Sequence, residues 1–62
     1  MRNKIKAIVK KYGVKLASLT RNIQGTFDIE LDINIYYKAQ ARMEGELYAL
    51  GGINDIYYRN VA

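Results

Sequence analysis

Asp28, Glu30 and Asp32, in the run TFDIELDINIYY, are three carboxylates spaced two apart in a 62-residue chain. D-x-E-x-D is the spacing with which a calcium-binding loop begins. Such a loop also needs a glycine at its sixth position and a closing glutamate, and Ile33 and Ala39 stand there instead. The positions between the acids are apolar: Phe27, Ile29, Leu31, Ile33 and Ile35. Strict alternation is the pattern of a half-buried strand, on which neighbouring carboxylates of one face lie about 6.5 to 7 Å apart. One cation cannot draw on all three at that spacing without strong curvature. The triplet therefore reads as a solvated stripe, or one that meets a basic partner, and not as a metal site.

Nucleophilic chemistry has less to work with. The chain has no histidine and no cysteine, so Ser18, Thr20 and Thr26 lack an imidazole to activate them. The common zinc ligand sets are absent for the same reason. Gly51-Gly52 is not followed by the lysine and hydroxyl of a phosphate-binding loop. The expectation is a protein that is not an enzyme and has no cofactor and no metal.

Charge offers more. Arg2, Lys4, Lys6, Lys10, Lys11, Lys15 and Arg21 occupy the first 25 residues with no acid among them. The remainder carries six acids against Lys38, Arg42 and Arg59, and the whole chain has a net charge of +4. The basic patch Lys4, Lys6, Lys10, Lys11 and Lys15 has two readings. It could neutralise the phosphates of a nucleic acid, or it could solvate one side of a helix and meet the acidic stripe. With the stripe so close in sequence, the second reading leads.

The six tyrosines form a third group. Tyr36-Tyr37 and Tyr57-Tyr58 are adjacent pairs, and two adjacent aromatics cannot both enter one core from a helix or a strand. One of each pair is expected at a surface, where tyrosine favours contact with another protein and can also stack on bases. Ala41, Gly45 and Ala49 form a smooth stripe at helical spacing. A glycine within a helix is destabilising, so its presence suggests the close approach of another backbone, from residues 3 to 12 or from a second copy.

These residues must be placed by few elements. Ile5, Ile8, Val9 and Tyr12 fall on one helical face, with Asn3 as a candidate N-cap and Gly13 as a stop, which predicts an amphipathic helix over 3–12. The acidic run predicts a strand to about Asn34. Val14 to Ile23 is its nearest partner through a Gln24-Gly25 turn, in a register that puts Thr20 opposite Ile29 and Arg21 opposite Asp28. Tyr36, Ala39, Met43, Leu47 and Leu50 then recur at helical spacing, predicting a helix over 35–50 that ends at Gly51-Gly52. The tail from Ile53 is read as a short element, a helical turn or an edge strand. The run LTRNIQGT resembles in outline the turn of repressor-type helix-turn-helix domains. Gln24 stands at its glycine position, and acids follow where a recognition helix would begin.

The resulting fold class is α+β: one small domain over 1–62, with an N-terminal amphipathic helix, a strand or β-hairpin within 14–34 and a longer helix over 35–50. An all-α two-helix dimer is the alternative. So short a chain without disulfides buries little core, which favours completion as a homodimer. No apolar run is long enough to cross a bilayer, so no membrane partner is expected and the location is expected to be cytoplasmic. The leading function is a non-catalytic protein-binding module, a stoichiometric homodimeric inhibitor or adaptor of the kind mobile elements encode, using Tyr36, Tyr37, Tyr57 and Tyr58. The alternative is a small nucleic-acid-binding protein using the lysine-rich first helix.

Overall fold

The computed structural model of the chain describes residues 1–33 and 37–60; for Tyr37 the description covers the backbone alone. The element order is α1 (Arg2–Lys11), β1 (Lys15–Arg21), β2 (Phe27–Ile33), α2 (Tyr37–Ala49) and β3 (Ile53–Asn60). The α+β class and both helices are as the sequence predicts, and the tail is an edge strand. Residues 34–36, including the start of the predicted second helix and Tyr36, lie outside the described residues.

Helix α1 begins one residue earlier than expected, with Met1 at its cap and no side-chain capping bond, so Asn3 is not the cap. Its end is as the sequence signals. Gly13 adopts φ 70°, its N–H donates to the Lys10 carbonyl, and the Val14 N–H donates to the Val9 carbonyl. That pair of bonds satisfies two carbonyls left open at a helix end, and it needs a residue at ease in the left-handed region.

The hairpin forms, but in a different register from the one predicted. Leu19 lies opposite Ile29, Thr20 opposite Asp28 and Arg21 opposite Phe27, and a bulge at Ala17 then brings Leu16 opposite Leu31. The reason is the turn. Ile23, Gln24 and Gly25 form a three-residue loop in which the Gly25 N–H donates to the Asn22 carbonyl and Gly25 takes φ 85°. A two-residue Gln24-Gly25 turn would have shifted every pair by one; the third residue restores apolar side chains to one face. Asn22 holds the loop with its side chain, whose Oδ1 accepts from the Gln24 and Thr26 N–H groups at 3.0 Å each. Its Nδ2 donates to Thr26 Oγ1 at 2.6 Å.

The sheet order is β1-β2-β3, antiparallel between the first two and parallel between β2 and β3. The parallel pairing follows from α2, which returns the chain to the starting end of the sheet. Ile5 and Val9 of α1, Met43 and Leu47 of α2, and Phe27, Ile29 and Leu31 of β2 form one buried core with Val14. Leu16, Leu19, Ile56 and Tyr58 pack at its margin. Both helices therefore cover the same face of the sheet. Among the described residues the other face is open.

Candidate binding surfaces

The acids of β2 lie on the open face, because the residues between them point into the core. Cross-strand register sets out three rows there: Lys15, Asp32 and Arg59; Ser18, Glu30 and Tyr57; Thr20, Asp28 and Asp55. Each β2 carboxylate has its own partner. Arg59 Nε donates to Asp32 Oδ1 at 2.8 Å, Asn54 Nδ2 donates to Asp28 Oδ1 at 2.8 Å, and Ser18 Oγ lies 3.5 Å from Glu30 Oε1. Asp32, only 7% exposed, is the one buried charged residue among those described. A buried carboxylate needs such a partner, since leaving it bare would cost several kcal/mol, of order 3 to 5.

Of the lysine patch, Lys15 stands in the rows of the stripe, opposite Asp32, and the lysines of the first helix do not meet it. Helix α1 lies across the opposite face of the sheet, and the partners of the stripe come from β1 and β3. Among the described residues, none of Arg2, Lys4, Lys6, Lys10, Lys15 and Arg21 makes a salt bridge. Five of these fall into two neighbouring groups. Arg2, Lys6 and Lys10 share a flank of α1, and Lys6, Lys10 and Lys15 line an open groove with Val9, Val14 and Leu16. In a separate hollow at the start of α1, Arg2 and Arg21 meet around Phe27, their guanidinium carbons 5.1 and 5.9 Å from the ring centroid. Arg2 also donates to the Leu19 carbonyl at 3.2 Å. The two arginines were not part of the lysine patch read from sequence; the hairpin register, which places Arg21 opposite Phe27, is what gathers them.

Lys11 belongs elsewhere. With Tyr12 it hydrogen-bonds Glu46, tying the end of α1 to α2. Those bonds, that from Lys11 first, hold the Glu46 carboxyl below the usual glutamate range, and the same carboxylate raises Lys11 and Tyr12.

Of the tyrosines, Tyr57 is 51% exposed on the open face, and Tyr58 packs against the core with its hydroxyl donating to Glu44. Burial first, and then the Glu44 carboxylate, push the Tyr58 phenol well above its ordinary value. The side chain of Tyr37 lies outside the described residues, as does Tyr36. Tyr48, on the α2 flank above β3, is 46% exposed. Ala41, Gly45 and Ala49 all face solvent, and a Cβ at Gly45 would meet nothing within 4 Å. Of the two backbones that glycine could admit, residues 3–12 do not approach it; α1 reaches α2 through Lys11 and Tyr12 on another flank.

No protein-family model, curated protein or solved structure matches the chain. Among the described residues no helix is long and apolar enough to cross a membrane.

Proposed function

We propose that the chain is a non-catalytic binding module that holds a polyanion, the phosphate backbone of a nucleic acid, along its α1–β1 side, and that it works as a homodimer. One observation carries the first half. The acidic stripe, which the sequence offers as the natural counterpart of the lysines, sits on the far face of the sheet with partners of its own. Arg2, Lys6, Lys10 and Arg21 are left as cations on the helical side of β1, with Lys15 at the edge of the strand beside them. Cations so arranged release counterions from a phosphate backbone, a source of affinity that carries little sequence information. The open sheet face is not the contact surface in this reading, because its acids would repel phosphates. The homodimeric half is supported by the size of the core, eight buried apolar side chains among the described residues.

Fluorescence anisotropy with labelled duplex DNA, single-stranded DNA and RNA over a salt series tests the reading. Five phosphate contacts per chain set a limiting slope of log affinity against log salt of about −4.5 on duplex and about −3.5 on a single strand. Lys6→Glu with Lys10→Glu should flatten the slope and weaken binding to all three probes alike. Absence of salt-sensitive binding, or its survival in that variant, refutes the proposal. The protein-binding reading, a stoichiometric inhibitor or adaptor, is favoured by a different observation: Tyr57 and Tyr48 stand exposed on the β3 side, away from the cations.

A further inference from the structure

The two edges of the sheet are built differently. Strand β1 carries the devices that keep an edge from pairing: a cation at each end in Lys15 and Arg21, a bulge at Ala17, and the Arg2 guanidinium on the Leu19 carbonyl. Strand β3 is eight residues long and contains no lysine or proline. Its one irregularity, at Asn54, lies near its start, and from Asp55 to Asn60 the pairing with β2 runs without interruption. On its outer side the Ile56 N–H donates to Asp55 Oδ1 at 2.9 Å, and among the described residues no other strand pairs there. An edge of that length, held only by a side-chain bond that Asp55 can release, is a template for another strand.

We infer that β3 is the homodimer interface, pairing antiparallel with β3 of a second copy about a two-fold axis at Tyr57, so that two three-stranded sheets become one of six strands. The register comes from the sequence of the strand itself. A two-fold axis at residue 57 sets Asp55 opposite Arg59 of the second copy, and Arg59 opposite its Asp55. These side chains share the open face, so the dimer gains two opposite-charge pairs as Asp55 turns from its own Ile56 N–H, and opposite charges directly across a strand pair are stabilising. Tyr57 meets its own symmetry mate on that face, and Ile56 meets Tyr58 on the helical face. An axis at 56 or at 58 separates the charges, placing Asp55 or Arg59 opposite a tyrosine. The axis at 57 also keeps all four helices on one face, with the α2 flanks bearing Tyr48 turned toward each other. An isologous interface must be complementary to itself, and this strand is.

The inference rests on the homodimeric reading and names its surface, so the experiment separates the two. Light scattering on the intact chain at micromolar concentration should give twice the chain mass; a folded monomer overturns both the dimer and the interface. Asp55→Arg and Arg59→Asp should each be monomeric, because each places like charges across the seam. Mixed in equal amounts the two should recover a heterodimer, since each then faces its opposite. Circular dichroism of each variant establishes that it is folded, as Arg59→Asp also removes the partner of Asp32. A second measurement is independent of charge. The chain has no cysteine, so Tyr57→Cys provides a single thiol at the axis, where directly opposed Cβ atoms about 4.5 to 5.5 Å apart can approach disulfide geometry. Mild oxidation should cross-link this variant as a dimer and leave Ile23→Cys, at the hairpin tip, uncross-linked. A dimer that survives both charge reversals, or equal cross-linking of the two cysteine variants, refutes the β3 interface while leaving the dimer itself standing.

Discussion

Gly45→Ala should stabilise this protein, and the sign of the effect decides what lies over α2. In a helix interior glycine is less favourable than alanine by about 0.8 to 1.0 kcal/mol, chiefly because the unfolded chain is freer at glycine. Whether that gain is realised depends on space and on backbone conformation. Gly45 is not among the positive-φ glycines, and a Cβ built on it meets nothing within 4 Å. The expected gain is therefore nearly the full ~1 kcal/mol, which for a domain of this size raises Tm by about 4 to 8 °C. Far-UV thermal melts at one fixed protein concentration measure it, since a dimer's Tm depends on concentration. Gly13→Ala is the matched control. It too has open space, but φ 70° strains any L side chain, so Tm should fall by a comparable amount, about 1 kcal/mol or more. If Gly45→Ala lowers Tm, the Ala41, Gly45 and Ala49 stripe is covered by another backbone and the β3 interface loses its claim.

Three further outcomes follow from side-chain bonds. Asn22→Ala removes two acceptor bonds and one donor bond from the hairpin loop and should cost about 1 to 2 kcal/mol, read as a lowered urea midpoint at unchanged m-value. Glu46 has a folded pKa below its ordinary value near 4.5, so its contribution to stability is present above that value and lost as pH falls through the folded one. Acid denaturation of Glu46→Gln should accordingly be shallower than that of the parent below about pH 4.5, and parallel curves would refute the Lys11–Tyr12–Glu46 tie. Tyr58 has a raised pKa, so its contribution is present below the ordinary phenol value near 10 and lost as pH climbs beyond it. In an alkaline absorbance titration Tyr58→Phe should remove the phenol that ionises last; loss of an early one would place Tyr58 in water.

Element type was legible because the periods differ so plainly. Phe27 to Ile33 alternates and Met43 to Leu50 does not, and no competing interaction overrides either pattern. What the pattern could not supply was the side of the sheet on which α1 would land. Ile5 and Val9 require an apolar surface, and Ile29 and Leu31 offer one, so the helix covers them and is carried away from Asp28, Glu30 and Asp32. The attraction of opposite charges, screened within about 10 Å at moderate salt, does not compete with that burial. Register failed on a smaller point, since the number of residues in the turn depends on the side-chain bonds of Asn22 and on Gly25 and not on the dipeptide Gln24-Gly25. Gly45 shows a related limit: a cost in helix propensity is visible in sequence, but whether residues 3–12 fill the space beside it is not.

The segregation of charge bears on what a dimer could do. A seam at β3 leaves β1 as the outermost strand on both sides, with five strand spacings of about 4.8 Å between the two β1 strands, or roughly 24 Å. The cations of Arg2, Lys6, Lys10, Lys15 and Arg21 then lie along two edges that face away from each other. Side chains directed apart cannot grip opposite sides of one straight duplex in the manner of paired recognition helices, whose spacing of about 34 Å follows one turn of the groove. They can each hold a separate strand. The acids of the open face, continued across the seam by the Asp55 and Arg59 pairs, keep phosphate off the middle of the sheet. If the β3 seam and the polyanion contact both hold, the dimer should bridge two polyanions, and its monomeric variants should bind them singly.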